Sequence, residues 1–183
     1  ANPYADKADN NEAENINTKA VKRGDTINYQ VWLDTTKFDA NNKDNIQTVG
    51  ITDNYDEAKL DVKVSDIKAY DGKTGKDVTD KFNISIANGV ITANLKDGFT
   101  KSLGDAENTQ IIDTTKFEFG RYYKFVIPAK VSDGAYDGAE IENTAAQVVN
   151  YYNPTTKKTE KPEKPTEKRV NNVPMAIQLI FGK

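Results

Sequence analysis

Length, composition and charge limit what this chain can do. It has 183 residues, a formal net charge of −3 at pH 7 and neither cysteine nor histidine. These absences exclude disulfides, thiolate metal sites and catalytic arrangements that rely on histidine or cysteine. The interspersed, slightly acidic charge predicts no nucleic-acid partner. No apolar stretch approaches the roughly 20 residues that span a bilayer, so no membrane association is expected.

The aromatic content indicates a folded core. Nine tyrosines, seven phenylalanines and one tryptophan are too many for a disordered chain, and the length suffices for one good-sized domain. Because the chain opens without a recognisable signal peptide, we expect its first residue to lie within a larger protein.

Composition divides the chain into four predicted segments. Residues 1–18 are rich in Asn, Asp, Glu and Ala and are predicted to be a linker with a short edge strand around 4–8. Residues 19–153 carry strand patterns and are predicted to form the domain itself. Residues 154–174 read as a Pro-, Lys- and Glu-rich extended, solvated segment at a module boundary. The apolar residues 175–183 begin the next module, add an edge strand or form an appended tail.

Alternation of apolar and polar residues predicts a series of short strands. Asn88-Gly89 between two such runs is the strongest hairpin signal. Pro128 predicts an edge or bulged position for its strand, because proline cannot donate to a sheet ladder, and a change of phase near Ser65 predicts a bulge. Many short strands with few or no helices favour an all-β sandwich. The predicted strands are 26–33, 48–52, 61–70, 82–86, 90–95, 121–131 and 141–152.

A chain without cysteine or histidine can still form a covalent cross-link between lysine and asparagine. A neutral lysine amine attacks the side-chain carboxamide carbon of asparagine, and ammonia leaves. The reaction needs a desolvated amine, a neighbouring carboxylic acid kept neutral by the same apolar surroundings, and a fold that holds the atoms at attack distance. Such a bond between an early and a late strand would clamp the whole domain.

The sequence offers candidates for all three groups. Asn143 and Asp53 each share the apolar face of a predicted strand, and Lys7 lies in the early segment, with Lys19 as the alternative lysine. Spacing alone is equally compatible with ordinary roles: a satisfied polar asparagine, an aspartate that caps a turn and a solvated lysine. The residues therefore define a motif hypothesis and no more.

Four runs of sequence resemble the carboxy-terminal modules of the streptococcal antigen I/II family of surface adhesins. The resemblance extends over about residues 3–174, and the ending Val-Asn-Asn-Val-Pro is its most specific part. It implies a variant immunoglobulin-like β-sandwich, of the DEv-IgG type, stabilised by a Lys–Asn isopeptide bond with an assisting aspartate. The runs are Gly24–Asp34, Gly50–Asp56, Glu142–Val148 and Val170–Pro174.

The resemblance assigns site residues by position. Asn143 matches the late-strand asparagine, Asp53 matches the assisting aspartate, with Asp34 as the alternative acid, and Lys7 matches the early lysine, with Lys19 as its alternative. No cofactor is expected and no metal site is predicted.

Calcium is a further property of such modules. The chain has no Asp-x-Asp-x-Asp-Gly loop, so Asp133, Asp137 and Glu140 are only a weak candidate set for calcium.

The expected function is structural. We expect an extracellular, cell-wall-anchored stalk or adhesion module of a Gram-positive bacterium, not an enzyme, with neighbouring modules of the same adhesin as partners. The alternative is a module that directly binds host glycoprotein or another bacterium through exposed aromatics such as Tyr122 or Tyr152. A carboxylate-dependent glycosidase is the third reading, although no paired-carboxylate signature is present.

Overall fold

The computed structural model describes residues 16–38, 45–162 and 164–174. Within these ranges there is no α-helix, and no helix could cross a membrane. The regular elements there are three single-turn 3₁₀ helices (64–66, 79–81 and 97–99) and twelve strands. The strands are β1 Thr26–Asp34, β2 Ile46–Tyr55, β3 Leu60–Val62, β4 Lys68–Asp71, β5 Phe82–Ala87, β6 Val90–Leu95, β7 Thr100–Ser102, β8 Gln110–Ile112, β9 Tyr122–Val131, β10 Glu140–Asn153, β11 Lys158–Glu160 and β12 Thr166–Asn172.

Two sheets make up most of the domain. In the first, β9 lies in the centre, antiparallel to β1 on one side and to β3 and β4 on the other. The second has the order β11-β10-β2-β6-β5, and β12 also pairs with β10. β7 and β8 form a separate two-stranded hairpin. The long strand β10 therefore joins β2 to both carboxy-terminal strands.

The core lies between the inward faces of the two sheets. On β1 and β9 every second side chain is buried, as the period of two requires. Aromatic rings fill one region of this core, where Phe82 meets Phe125 edge to face and Phe117 stacks on Tyr123. The prediction of an all-β sandwich is confirmed. Other fully buried side chains are Leu33, Ile51, Ile91, Ile127 and Ile141.

The predicted hairpin is present. β5 and β6 pair antiparallel from Phe82↔Leu95 to Ala87↔Val90. Asn88 and Gly89 between them both have positive φ, 52° and 75°, which is the backbone of a type I′ turn.

The structure corrects the expectation for Pro128. Its strand, β9, is central and carries neither an edge nor a bulge at that point, since Pro128 pairs in register with Asn28 of β1. On the other side of β9, β4 ends its pairing at Val126 and β3 begins at Ala129. Pro128 thus lies opposite the gap between two short strands, where no ladder partner needs an N–H.

That gap also replaces the bulge predicted near Ser65. The chain leaves the sheet after β3, makes a 3₁₀ turn over Val64–Asp66 and returns as β4. The predicted single strand 61–70 is therefore two strands that share one partner.

The segment 154–174 is extended, as predicted, but the description as a solvated linker is wrong for much of it. β11 pairs with the end of β10, and all seven residues of β12 pair with Glu140–Ala146 of β10. Most of these side chains are exposed, so the composition carries no strand signal. Backbone hydrogen bonds hold an edge strand in place without an apolar face.

Gly50 provides a test of the packing between β2 and β6. A Cβ added there would lie 2.0 Å from the Ala93 carbonyl oxygen, whereas one added at Gly98 would meet nothing within 4 Å. We expect Gly50→Ala to lower the free energy of unfolding by about 2–3 kcal/mol, because the paired strands must separate. Gly98→Ala should stay within about 0.5 kcal/mol. Chemical denaturation of the two variants measures both values, and equal stabilities would contradict this account of the sheet.

Candidate functional site

A buried carboxyl group lies on the inward face of β2. Asp53 is 0% exposed and stands opposite Ile91 of β6 and Ala145 of β10. It occupies this position because it is in phase with the buried Val49 and Ile51. An acid that replaces a core side chain in the middle of a sheet is expensive to keep charged.

Asn143 of β10 contacts this acid directly. It is 2% exposed, and its Nδ2 donates a hydrogen bond of 2.7 Å to Asp53 Oδ2. Asn143 pairs with Tyr55 and Asp53 pairs with Ala145, so the two side chains are diagonal neighbours on one face of the sheet. The structure therefore brings together two of the predicted site residues.

Burial changes the acidity of Asp53. Desolvation raises its pKa from 3.8 to about 6, and the hydrogen bond from Asn143 opposes this rise. The neutral acid is thus populated at mildly acidic to neutral pH, and in that form the carboxyl can donate a proton.

Three buried polar atoms at this point have no hydrogen-bond partner among the described residues. They are Asp53 Oδ1, Asn143 Oδ1 and the hydroxyl of Tyr29, a β1 residue that is 6% exposed. The charge on Asp53 raises the pKa of Tyr29 after desolvation, the larger cause, which places the hydroxyl within the field of that carboxylate. Buried polar groups are nearly always paired, so this cluster has room for a further donor.

The lysines and the alternative acid occupy different positions. Lys7 lies outside the described residues. Lys19 is exposed, so its side chain is not desolvated at the pair. Asp34 is on the opposite face of β1 from Tyr29, and its Oδ1 accepts hydrogen bonds from the backbone N–H and the hydroxyl of Thr36. Of the two candidate acids, only Asp53 contacts Asn143.

Gln147 connects the sheets beside this site. Its Oε1 accepts from the Asp34 N–H at 2.9 Å, and its Nε2 donates to the Asp34 carbonyl at 3.1 Å. The carboxamide thereby pairs with the outer edge of β1 as a strand residue would. A cleft of about 830 Å³ extends along this edge, and Tyr29, Asn143 and Gln147 are among its lining residues. Sequence reasoning missed both Gln147 and Tyr29; a tyrosine on the apolar face of a predicted strand was the available signal.

The carboxy-terminal Val-Asn-Asn-Val run also has a structural role. Asn171 is buried, and its Nδ2 donates to the carbonyl oxygens of Ile16 and Lys19 at 2.7 and 2.9 Å. Ile16 and Asn17 in turn line the cleft along β1. This run therefore fixes the point at which the amino-terminal segment reaches the cleft.

Two further expectations can be compared with the structure. In the described part of the chain, no group of three acidic residues is placed to hold a metal ion, and Asp137 of the weak calcium set pairs with Arg23 at 2.7 Å. Tyr152 is buried and donates to Asp105 Oδ2, so it is not an exposed contact residue, whereas Tyr122 is half-buried.

The fold and the buried Asp–Asn pair define an immunoglobulin-like β-sandwich module of the surface-protein type. The sequence profile described as "Cell surface antigen I/II C2 terminal domain" matches residues 5–172. The chain belongs to this family, as the resemblance predicted, and is thus an adhesin-type structural module of Gram-positive surface proteins.

Individual relatives agree with this assignment. The chain is 27% identical over 155 residues to the aggregation substance of Enterococcus faecalis, a match that covers 75% of the chain and 11% of that protein. The major pilin subunit BcpA of Bacillus cereus is 16% identical with a TM-score of 0.57, over 85% of this chain and 36% of that one. The C-terminal domain of the antigen I/II polypeptide BspA of Streptococcus agalactiae is 14% identical with a TM-score of 0.51, over 87% and 46%. The structural matches support the fold, and the chain spans less than half of each of these relatives.

The acidity of Asp53 can be measured directly by carboxyl carbon NMR. In the Lys7→Ala chain, which cannot react at that lysine, Asp53 should titrate near pH 6, while Asp71, whose pKa hydrogen bonds from Arg121 lower despite its partial burial, should titrate below 3.8. A midpoint for Asp53 at or below 3.8 would contradict the account.

The same shift affects stability. Since the folded-state pKa of Asp53 lies above its unfolded value, the folded state binds more protons between the two values. The free energy of unfolding should therefore fall by about 3 kcal/mol between roughly pH 4 and pH 7 in the Lys7→Ala chain through this group. Asp53→Asn in that chain should remove this part of the pH dependence, as denaturation at several pH values would show.

Proposed function

We propose that this chain is a covalently clamped stalk module of a cell-wall-anchored adhesin, with an intramolecular isopeptide bond between Lys7 Nζ and Asn143 Cγ. The observation that carries the proposal is the buried Asp53–Asn143 hydrogen bond with an unpartnered oxygen on each side chain. Its expected partners are neighbouring modules of the same adhesin. The reaction occurs once in each molecule and has no external substrate.

The reaction requires no oxidant or cofactor. The neutral amine of Lys7 attacks Asn143 Cγ and forms a C–N bond. Protonated Asp53 donates to the carboxamide oxygen, and the proton lost from the amine is passed by the carboxyl to Nδ2. The Cγ–Nδ2 bond then breaks and ammonia leaves, so the atoms and charges balance and Asp53 ends in its starting state.

The surroundings of the pair favour each step. Burial raises the pKa of Asp53 to about 6, so the acid form is available near neutral pH. A lysine brought to the same place would have a lowered pKa for the same reason, since desolvation disfavours every charged form. Because Asp53 and Asn143 are already in contact at 2.7 Å, only the amine remains to be positioned.

The cleft along β1 provides a route for that amine. Ile16 and Asn17 line the cleft together with Asn143, and Lys7 precedes Ile16 by nine residues, a length that reaches at most about 30 Å. The buried segment from Ile16 to Ala20 is held to β12 by the Thr18 N–H and Val21 N–H bonds to the carbonyls of Val170 and Asn172. The lysine therefore has both the anchor and the reach to approach the pair.

Intact-mass spectrometry tests the bond. The purified chain should weigh less than its sequence by one ammonia, and Asn143→Ala should restore the full mass of that variant. Asn94→Ala is the matched control, because Asn94 also has a buried, unpartnered Oδ1 but does not contact Asp53. A full sequence mass for the unmodified chain would contradict the isopeptide proposal.

Variants at the other predicted residues assign the roles. Asp53→Ala should block the loss of ammonia, whereas Asp34→Ala should not, because the carboxylate of Asp34 is taken up by Thr36. Lys7→Ala should also block it, and Lys19→Ala should leave it intact. Ammonia loss in Lys7→Ala but not in Lys19→Ala would assign the bond to Lys19.

The bond should have a large effect on stability. A cross-link from residue 7 to residue 143 closes a loop of more than 100 residues, which in the loop-entropy model stabilises the folded state by about 4–5 kcal/mol. Lys7→Ala should lower the free energy of unfolding by roughly this amount in denaturant titrations. Equal stabilities with and without the bond would show that it does not serve as a clamp.

A further inference from the structure

A count of donors and acceptors at the buried pair points to a further residue. Asp53 Oδ1 and Asn143 Oδ1 are acceptors without donors, and the Tyr29 hydroxyl is a donor without an acceptor. One hydroxyl can satisfy one of the two oxygens, which leaves the other for an amine. The remaining unpartnered buried atoms in the described residues, Asn94 Oδ1 and Arg121 Nε, belong to residues with no contact recorded to this cluster.

The fold directs the Tyr29 ring toward the pair. Tyr29 is in phase with the buried Ile27, Val31 and Leu33 on the inward face of β1, while Asp53 is on the inward face of β2 in the opposite sheet. The ring lines the same cleft as Asn143. The negative charges of Asp53 and, more weakly, Asp56 act on the hydroxyl, so the geometry and the local field agree.

We propose that the Tyr29 hydroxyl donates a hydrogen bond to Asp53 Oδ1 and so positions the Asp53 carboxyl for its reaction at Asn143. With Nδ2 of Asn143 on Oδ2 and the hydroxyl on Oδ1, both carboxyl oxygens are held and the side chain cannot turn away from the carboxamide. Tyr29 acts through Asp53 and is a positioning residue. This inference rests on the proposed isopeptide reaction only for its consequence, since the contact itself exists with or without the bond.

Tyr29→Phe removes one oxygen atom and keeps the ring in the core. The matched control is Tyr123→Phe, which removes another buried tyrosine hydroxyl, one that donates to the Glu118 carbonyl at 2.5 Å away from the pair. Unreacted full-length chains, isolated in denaturant, would be diluted into buffer and followed by intact mass. We expect Tyr29→Phe to slow the loss of ammonia about tenfold and Tyr123→Phe to leave the rate unchanged.

A second readout separates positioning from packing. In the Lys7→Ala chain, where no bond forms, Tyr29→Phe should raise the pKa of Asp53 by about half a unit or more, because a hydrogen bond to the charged form has been removed. Tyr123→Phe should not change it. An unchanged Asp53 pKa in folded Tyr29→Phe overturns the proposal whatever the rate does, and equal slowing by both variants assigns the rate effect to packing and also overturns it.

The design remains decisive if Tyr29→Phe does not fold. In the folded Lys7→Ala chain, the ring carbon that bears the Tyr29 hydroxyl should then shift with the same midpoint as Asp53, and Asp53→Asn should abolish that titration. A pH-independent Tyr29 resonance would overturn the proposal. If the unmodified chain shows no loss of ammonia, the isopeptide reaction is refuted, while these titrations still decide whether Tyr29 holds Asp53.

Discussion

The buried hydrogen bond between Asn143 and Asp53 is the interaction on which the account of this module depends. A carboxyl group with no exposed surface is unfavourable in its charged form, and a single amide donor compensates only part of that cost. The raised pKa of Asp53 follows directly. A core that needed only stability would place an apolar side chain at each of these positions, so the pair makes sense where its chemistry is used.

The sandwich provides the rigid frame for that chemistry. β10 carries Asn143 and pairs with β2, which carries Asp53, so their relative position is set by sheet register and not by a loop. β1 faces them from the other sheet, and Gln147 joins its outer edge to β10. Reacting groups built on paired strands keep their geometry better than groups on loops. A bond formed here would connect the start of the chain to its longest strand, which suits a module that transmits force.

Much of this arrangement could be predicted from the sequence, because it depends on local patterns. The alternation in 26–33 and the Asn-Gly turn each specify a local structure, and both are present. The Asp53–Asn143 contact was predictable because each residue interrupts an apolar face at a position with the same phase as its neighbours. The lysine assignment stays a prediction, since Lys7 is not among the described residues.

Other features depended on the tertiary structure. β12 has almost no apolar residue and is a strand because β10 offers it a backbone ladder. Pro128 is tolerated in a central strand because β3 and β4 leave a gap opposite it. The roles of Gln147 and Tyr29 arise from the approach of β1 to β10 and β2 across the two sheets. No periodicity in a single segment reports such an approach, which is why these two residues were missed.

Peptide mapping would test the central claim most directly. After complete proteolysis of the native chain, tandem mass spectrometry should find one branched peptide in which the side chain of Lys7 is joined to the peptide that contains Asn143, with one ammonia missing. Recovery of the Lys7 and Asn143 peptides only as separate linear species, each with its full mass, would contradict the account.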